Sequence, residues 1–179
     1  MKESILIRAE KEEDRASVGH VNELAFGRQN EADLVDALRE KASPCISLVA
    51  TSDSLGATSD GEVVGHIFFS PVSIESGDDS FTAMGLAPMA VLPAYQNRGI
   101  GSQLVWEGLR ESLQLGYDIV VVLGHPDYYP RFGFTPAGLK GLRSEYDVPD
   151  EVFMVTELRP GALAGCSGLV KYHSEFSKV

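Results

Sequence analysis

The stretch Leu86 to Gly116 limits the possible folds of this chain more than any other part of it. It opens with a short apolar run, Leu86 to Leu92, closed by Pro93, which has no N–H to offer a sheet ladder. Gln96-Asn97-Arg98-Gly99-Ile100-Gly101 follows, and Ile100, Leu104, Val105, Leu109 and Leu113 then recur on one helical face. Gly116 stands where a helix commonly terminates. The pattern is strand, tight turn, helix.

A glycine-rich turn feeding a helix is suited to an anion. The first N–H groups of a helix have no intrahelical partner, and the helix dipole adds partial positive charge there. Gly99 and Gly101 lack Cβ and allow close backbone approach, Arg98 adds a guanidinium, and Ser102 adds a hydroxyl. The plainer alternative is that the two glycines only shape a loop and pack the helix on a sheet. The phosphate-loop pattern GxxxxGK followed by Ser or Thr is absent, as is the dinucleotide pattern GxGxxG.

The flanking chain fits an α/β domain. Ile5 to Arg8 is expected to be a first strand. Val18, Val21, Leu24, Ala25 and Phe26 fall at helical spacing, and Gly27 stops that helix. A second helix is expected from about Asn30 to Lys41, with Leu34, Val35 and Leu38 inward and Asn30, with Asp33, as its N-terminal cap. Ile46 to Ala50 is a strand candidate, and Asp53 to Gly61 a turn or short loop. A strand from Glu62 to about Ile74 and another from Phe81 to Val91 flank a Gly-Asp turn, which predicts a hairpin. Tyr117 to Gly124 is apolar on both faces, so it is expected to be a central strand, parallel to the one before the turn, in a right-handed βαβ unit. Val152 to Glu157 is a further strand candidate, and Leu169 to Phe176 is either another strand or an irregular ending.

At 179 residues the chain can bury one sizeable core, and a single domain is expected. No apolar run approaches the ~18 residues of a membrane span, and no signal-peptide pattern opens the sequence, so a soluble cytoplasmic protein is expected. Cys45 and Cys166 suit neither a disulfide framework nor a zinc site. The net charge of −11 argues against nucleic acid as a partner. It suits a cationic acceptor, or else is simply a solvated surface.

A second motif, His125-Pro126-Asp127-Tyr128-Tyr129-Pro130-Arg131-Phe132-Gly133-Phe134, follows the central strand. By itself it is equally a buried aromatic corner.

Together the two motifs resemble the GNAT N-acetyltransferase superfamily. Gln96, Gly99 and Gly101 fill its motif A signature, Gln/Arg-x-x-Gly-x-Gly/Ala, and "YYPRFGF" resembles its motif B, with Tyr129 at the tyrosine position. The resemblance covers roughly residues 4 to 158, with 159–179 as a C-terminal extension of the same domain. It implies a mixed α/β sheet flanked by helices and acetyl-CoA as the acyl donor, with an amine of an unidentified small molecule or protein as the acceptor. In such a fold the amides from Gln96 through Ser102, including Asn97, Arg98 and Ile100, would hold the pyrophosphate. The backbone of Met89, Ala90 and Val91 would hold the pantetheine arm, and Tyr129 would protonate the leaving thiolate, with Tyr128 as the alternative. The stretch between the central strand and Tyr129 is shorter than is usual in the family and carries His125. The family's frequent glutamate on the strand before motif A is missing here. His125 is therefore the favoured base, ahead of His66 and the weaker Glu23 and Glu31. Left open are a non-catalytic acyl-CoA sensor, another acyl group or an O-acceptor, and a monomer or homodimer.

Overall fold

The structure, a computed structural model, describes residues 3–53 and 60–179. Most of the turn expected over Asp53 to Gly61 lies outside the described residues. In chain order the elements are β1 (Ile5–Ala9), α1 (Arg15–Phe26), α2 (Asn30–Lys41), β2 (Ile46–Ser52), β3 (Glu62–Ser76) and β4 (Asp79–Val91). Then come α3 (Ile100–Gln114), β5 (Ile119–Leu123), β6 (Thr135–Pro136), β7 (Leu142–Ser144), β8 (Phe153–Glu157) and β9 (Gly168–Lys171). No helix among the described residues is long and apolar enough to cross a membrane.

The strands form one mixed sheet in the order β1-β2-β3-β4-β5-β8-β6, with β9 paired to both β3 and β7. β4 and β5 are parallel, as the apolar run after α3 predicts. The last strand candidate is a strand only over Gly168–Lys171, and Ser174–Lys178 turns into a 3-10 helix.

Strand alternation divides the core between two faces. Leu48, Ala50, Ile67 and Phe69 meet Ile100, Leu104 and Leu109 of α3. Val49 and Phe68, out of phase with them by one residue, meet Val18, Val21, Val35 and Leu38 of α1 and α2. Val72, Ile74 and Val121 extend the core into the C-terminal segment through Leu163, Val170 and Tyr172. The fit under α3 is close, because a Cβ on Gly108 would come within 2.1 Å of the Phe69 ring. The helix ends as its sequence predicts: the Tyr117 N–H donates to the Ser112 carbonyl and the Gly116 N–H to Leu113, with Gly116 at φ 91°.

The expected cap at Asn30 is corrected. Gln29 already has helical angles (φ −83°, ψ −17°), its carbonyl accepts the Asp33 N–H at 3.0 Å, and no side chain among the described residues caps that end. The corner between α1 and α2 is closed instead by an ion pair of Arg28 with Glu31.

Two features of β4 open the sheet near its centre. The β3–β4 hairpin turns at Gly77-Asp78, but its register shifts further along: Phe69 faces Leu86 and Ile67 faces Met89. Ala87 and Pro88 therefore stand opposite Phe68 alone, a bulge inside the run that looked continuous in sequence. The β4–β5 pairing also ends at Leu86 with Val122, while β5 stays paired to β8 as far as Leu123. Beyond Leu86 the sheet splits, with β4 following β3 and β5 following β8.

Candidate active site

The split opens a cleft of about 1070 Å³. One wall is β4 beyond the bulge, where Met89, Ala90 and Val91 line the opening. With β5 gone from their side, these residues present strand backbone to the cleft, the arrangement that an extended ligand can join as an added strand.

The turn after β4 makes the floor. The Gln96 side-chain amide donates to the Val91 carbonyl at 3.0 Å and ties the turn to the strand end. Asn97 (φ 62°) and Gly99 (φ 81°) take left-handed conformations, and a Cβ on Gly99 would meet nothing within 4 Å. Gly99 is the cap residue of α3, and among the described residues no side chain accepts from the first turn there. The first intrahelical bond runs from the Gln103 N–H to the Gly99 carbonyl. The N–H groups of Ile100, Gly101 and Ser102 therefore have no intrahelical acceptor, and all three residues line the cleft. Gly101 is a glycine for a packing reason: a Cβ there would lie 2.7 Å from the Tyr128 hydroxyl.

Arg98 takes no part in the lining. Its guanidinium contacts Glu3 at 3.2 Å and lies 5.1 Å from the centre of the Tyr95 ring. The cation that faces the cleft on this side is Arg131, stacked 4.5 Å over the Tyr128 ring. Arg131 lies within the second motif, three residues or about one helical turn after Tyr128, and that spacing is the one sequence signal for the stacking.

The opposite wall is the segment after β5. The His125 carbonyl accepts from the N–H groups of Tyr128 and Tyr129, which curls the chain into a 3-10 turn over Tyr129–Phe132. His125 is exposed and lines the cleft. Tyr129 is 7% exposed, edge-on to Tyr128 and Phe134, and its ring lies so close to Gly124 that a Cβ there would be 2.3 Å away. Burial raises its phenol above the usual range, with neighbouring Tyr128 adding to the effect. Tyr128 and Tyr129 both line the cleft, Tyr128 facing Gly101 and Tyr129 lying deeper.

The remaining base candidates separate sharply. His66 is fully buried between α1 and the sheet. Its Nδ1 accepts from the Asn22 side-chain amide at 3.1 Å, so its Nε2–H donates to the Ser47 hydroxyl at 2.8 Å. Burial, with the Arg39 guanidinium as a lesser cause, lowers its pKa to about 3. His66 is a satisfied packing histidine, away from the cleft. Glu23 is exposed on α1 and also outside the lining. Glu31, the weaker candidate in sequence, does line the cleft, beside Arg28.

A family model described as an acetyltransferase (GNAT) domain matches residues 6–137. The chain belongs to the GNAT acetyltransferase family. This GNAT chain is 38% identical over 174 residues to the uncharacterized N-acetyltransferase YhbS of Escherichia coli K12, covering 97% of this chain and 99% of that one. It is 40% identical over 141 residues to YjhQ of the same organism, covering 77% and 74%. Among solved structures it resembles Escherichia coli YhbS in complex with CoA, with a TM-score of 0.86 at 37% identity, over 97% of this chain and 92% of that one. It also resembles a GNAT family acetyltransferase of Brucella melitensis in complex with acetyl-CoA, with a TM-score of 0.76 at 37% identity, over 97% and 98%. The expected mixed α/β GNAT architecture is therefore the observed one.

Proposed function

We propose that this GNAT chain transfers an acetyl group from acetyl-CoA to an amine by direct attack within a ternary complex. The observation that carries the reading is the split between β4 and β5. It places free strand backbone, the open N-terminus of α3 and the Tyr128–Tyr129 pair around one cleft. The CoA and acetyl-CoA complexes of the two similar structures support the choice of donor.

The parts divide the work by their chemistry. The amides of Ile100, Gly101 and Ser102, in the turn that Gln96, Asn97 and Gly99 shape, receive the pyrophosphate. Arg131 supplies the positive charge that Arg98, turned toward Glu3, does not bring to the cleft. Met89, Ala90 and Val91 pair with the pantetheine arm, and a β4 N–H polarises the thioester carbonyl. The acceptor ammonium loses a proton, with exposed His125 taking it directly or through water. The neutral amine nitrogen attacks the carbonyl carbon, the C–S bond breaks, and the thiolate receives a proton from Tyr129. The products are the N-acetylated amine and free CoA, with one proton released. Tyr129 is protonated at neutral pH, because a phenol ordinarily titrates near ~10 and burial raises it further; that shift also makes it a weaker acid, so its role rests on its position in the cleft. A cytoplasmic setting belongs to the same proposal, as do the free cysteines Cys45 and Cys166.

The first test is thermal unfolding with and without acetyl-CoA. A ligand at ~100 times its Kd adds about 2.7 kcal/mol, or roughly 5–10 °C for a chain of this size. Tyr129→Phe should keep that shift while thiol release in the presence of amines falls by about 100-fold. No shift at saturating acetyl-CoA overturns the donor site, and wild-type turnover in Tyr129→Phe overturns the acid.

A further inference from the structure

The cleft passes through the sheet, and its two ends have opposite character. On the α3 side it meets a helix N-terminus and Arg131, which suit an anion. On the other side it meets the α1–α2 corner and the C-terminal segment, through Phe26, Leu34 and Phe176. That end holds Glu31, the one acidic side chain among the described residues of the lining. Its residue is 7% exposed, which is unusual for a glutamate and normally means a committed partner.

The partner is Arg28. Its Nε donates to both carboxylate oxygens of Glu31 at 3.1 Å, and its Nη2 donates to Oε1 as well. Arg28 itself is half exposed and lines the cleft beside Glu31, and its contacts fix the carboxylate's orientation. Each carboxylate oxygen carries two acceptor positions, and Arg28 approaches along one edge, so acceptor capacity remains. Around it the wall is apolar, which fits a methylene chain better than a second polar group.

Resting on the acetyltransferase reading, we propose a specificity role for Glu31 at the α1–α2 corner. There Glu31 selects an acceptor with a second positive charge, a diamine or similar basic amine, by binding the ammonium group that is not acetylated. The geometry orients such a molecule. Its charged end finds hydrogen-bond acceptors at Glu31 and is repelled by Arg131, so the other amine points back through the split toward the thioester. Because the Arg28–Glu31 pair is locally near neutral, the selection comes from hydrogen-bond geometry at short range. The chain's net charge of −11 supplies the longer-range attraction.

The test compares straight-chain diamines with matched monoamines by thiol release. The wild type should show a lower KM for diamines, and Glu31→Gln should raise that KM roughly tenfold, as expected for loss of a charge-assisted contact, while leaving the monoamine KM unchanged. A structural role alone, as the ion-pair partner of Arg28, would lower the melting temperature and leave the diamine-to-monoamine ratio as it was, so that ratio is the deciding readout. Should Glu31→Gln fail to fold, Phe26→Lys places a competing cation at an exposed position of the same wall and should raise the diamine KM in the same direction. Equal KM values for the two amine classes in the wild type, or a ratio untouched by either variant, overturn that role of Glu31 and leave the transferase intact. An acetyl-CoA melting shift with no thiol release from either class overturns the transferase reading and this inference with it.

Discussion

His66 and His125 are the same side chain in two regions that treat it in opposite ways. His66 lies mid-strand, under α1, with both ring nitrogens in hydrogen bonds and no exposed surface. His125 lies just past the end of β5, exposed, where the sheet has split. A strand interior closes on both faces, so a polar group there must find its partners within the protein and is used up by them. A strand end at a split has no cover, and its side chain is left for a ligand. The difference lies in how far the sheet pairing extends, not in the local sequence.

The largest effect that sharpens this contrast concerns stability. The folded His66 takes up a proton only near a pKa of about 3, whereas the unfolded ring does so near 6.5. Between those values the unfolded chain binds more protons, so the contribution is fully present above about pH 6.5 and is lost as pH falls toward 3. That amounts to about 3 kcal/mol between neutral pH and about pH 4, at roughly 1.4 kcal/mol per pH unit. Denaturant unfolding across this range should show an acid slope about one proton steeper in the wild type than in His66→Gln. Equal slopes would mean that the ring is not closed off as described.

A smaller effect is expected at the open site. His125→Gln should lower thiol-release turnover by about tenfold, at the low end of acid–base contributions, while melting temperature and acetyl-CoA affinity stay at wild-type values. A stability loss comparable to that of His66→Gln would erase the distinction between the two regions.

The smallest effect carries the same contrast over to the arginines. Arg131→Ala should weaken acetyl-CoA binding several-fold by calorimetry, as expected for a partly solvated charge contact. Arg98→Ala should leave it nearly unchanged, because its guanidinium is engaged with Glu3 and Tyr95. The reverse ranking would restore Arg98 to the phosphate site.

Much of the scaffold was legible because it follows from local rules. Helical spacing from Ile100 to Leu109, the stop at Gly116, the Gly-Asp hairpin turn and the apolar run of β5 each state a backbone preference within a few residues. What local patterns do not state is directions and partners. Arg98 sits inside the most informative motif, yet its side chain follows Glu3, far away in sequence. Asn30 has the chemistry of a cap, but the tight α1–α2 corner already makes Gln29 helical. Glu31 ranks among the weaker base candidates by sequence and is a buried member of the cleft wall.

By itself, then, the sequence determined the strand–turn–helix unit, its glycines and the aromatic segment after the central strand, because backbone conformation is set by neighbours along the chain. Only the tertiary structure decided where β4 bulges and parts from β5, which arginine faces the cleft beside α3 and which carboxylate stands at its far end. Those outcomes depend on strand register and on contacts between residues distant in sequence, and no local pattern encodes them.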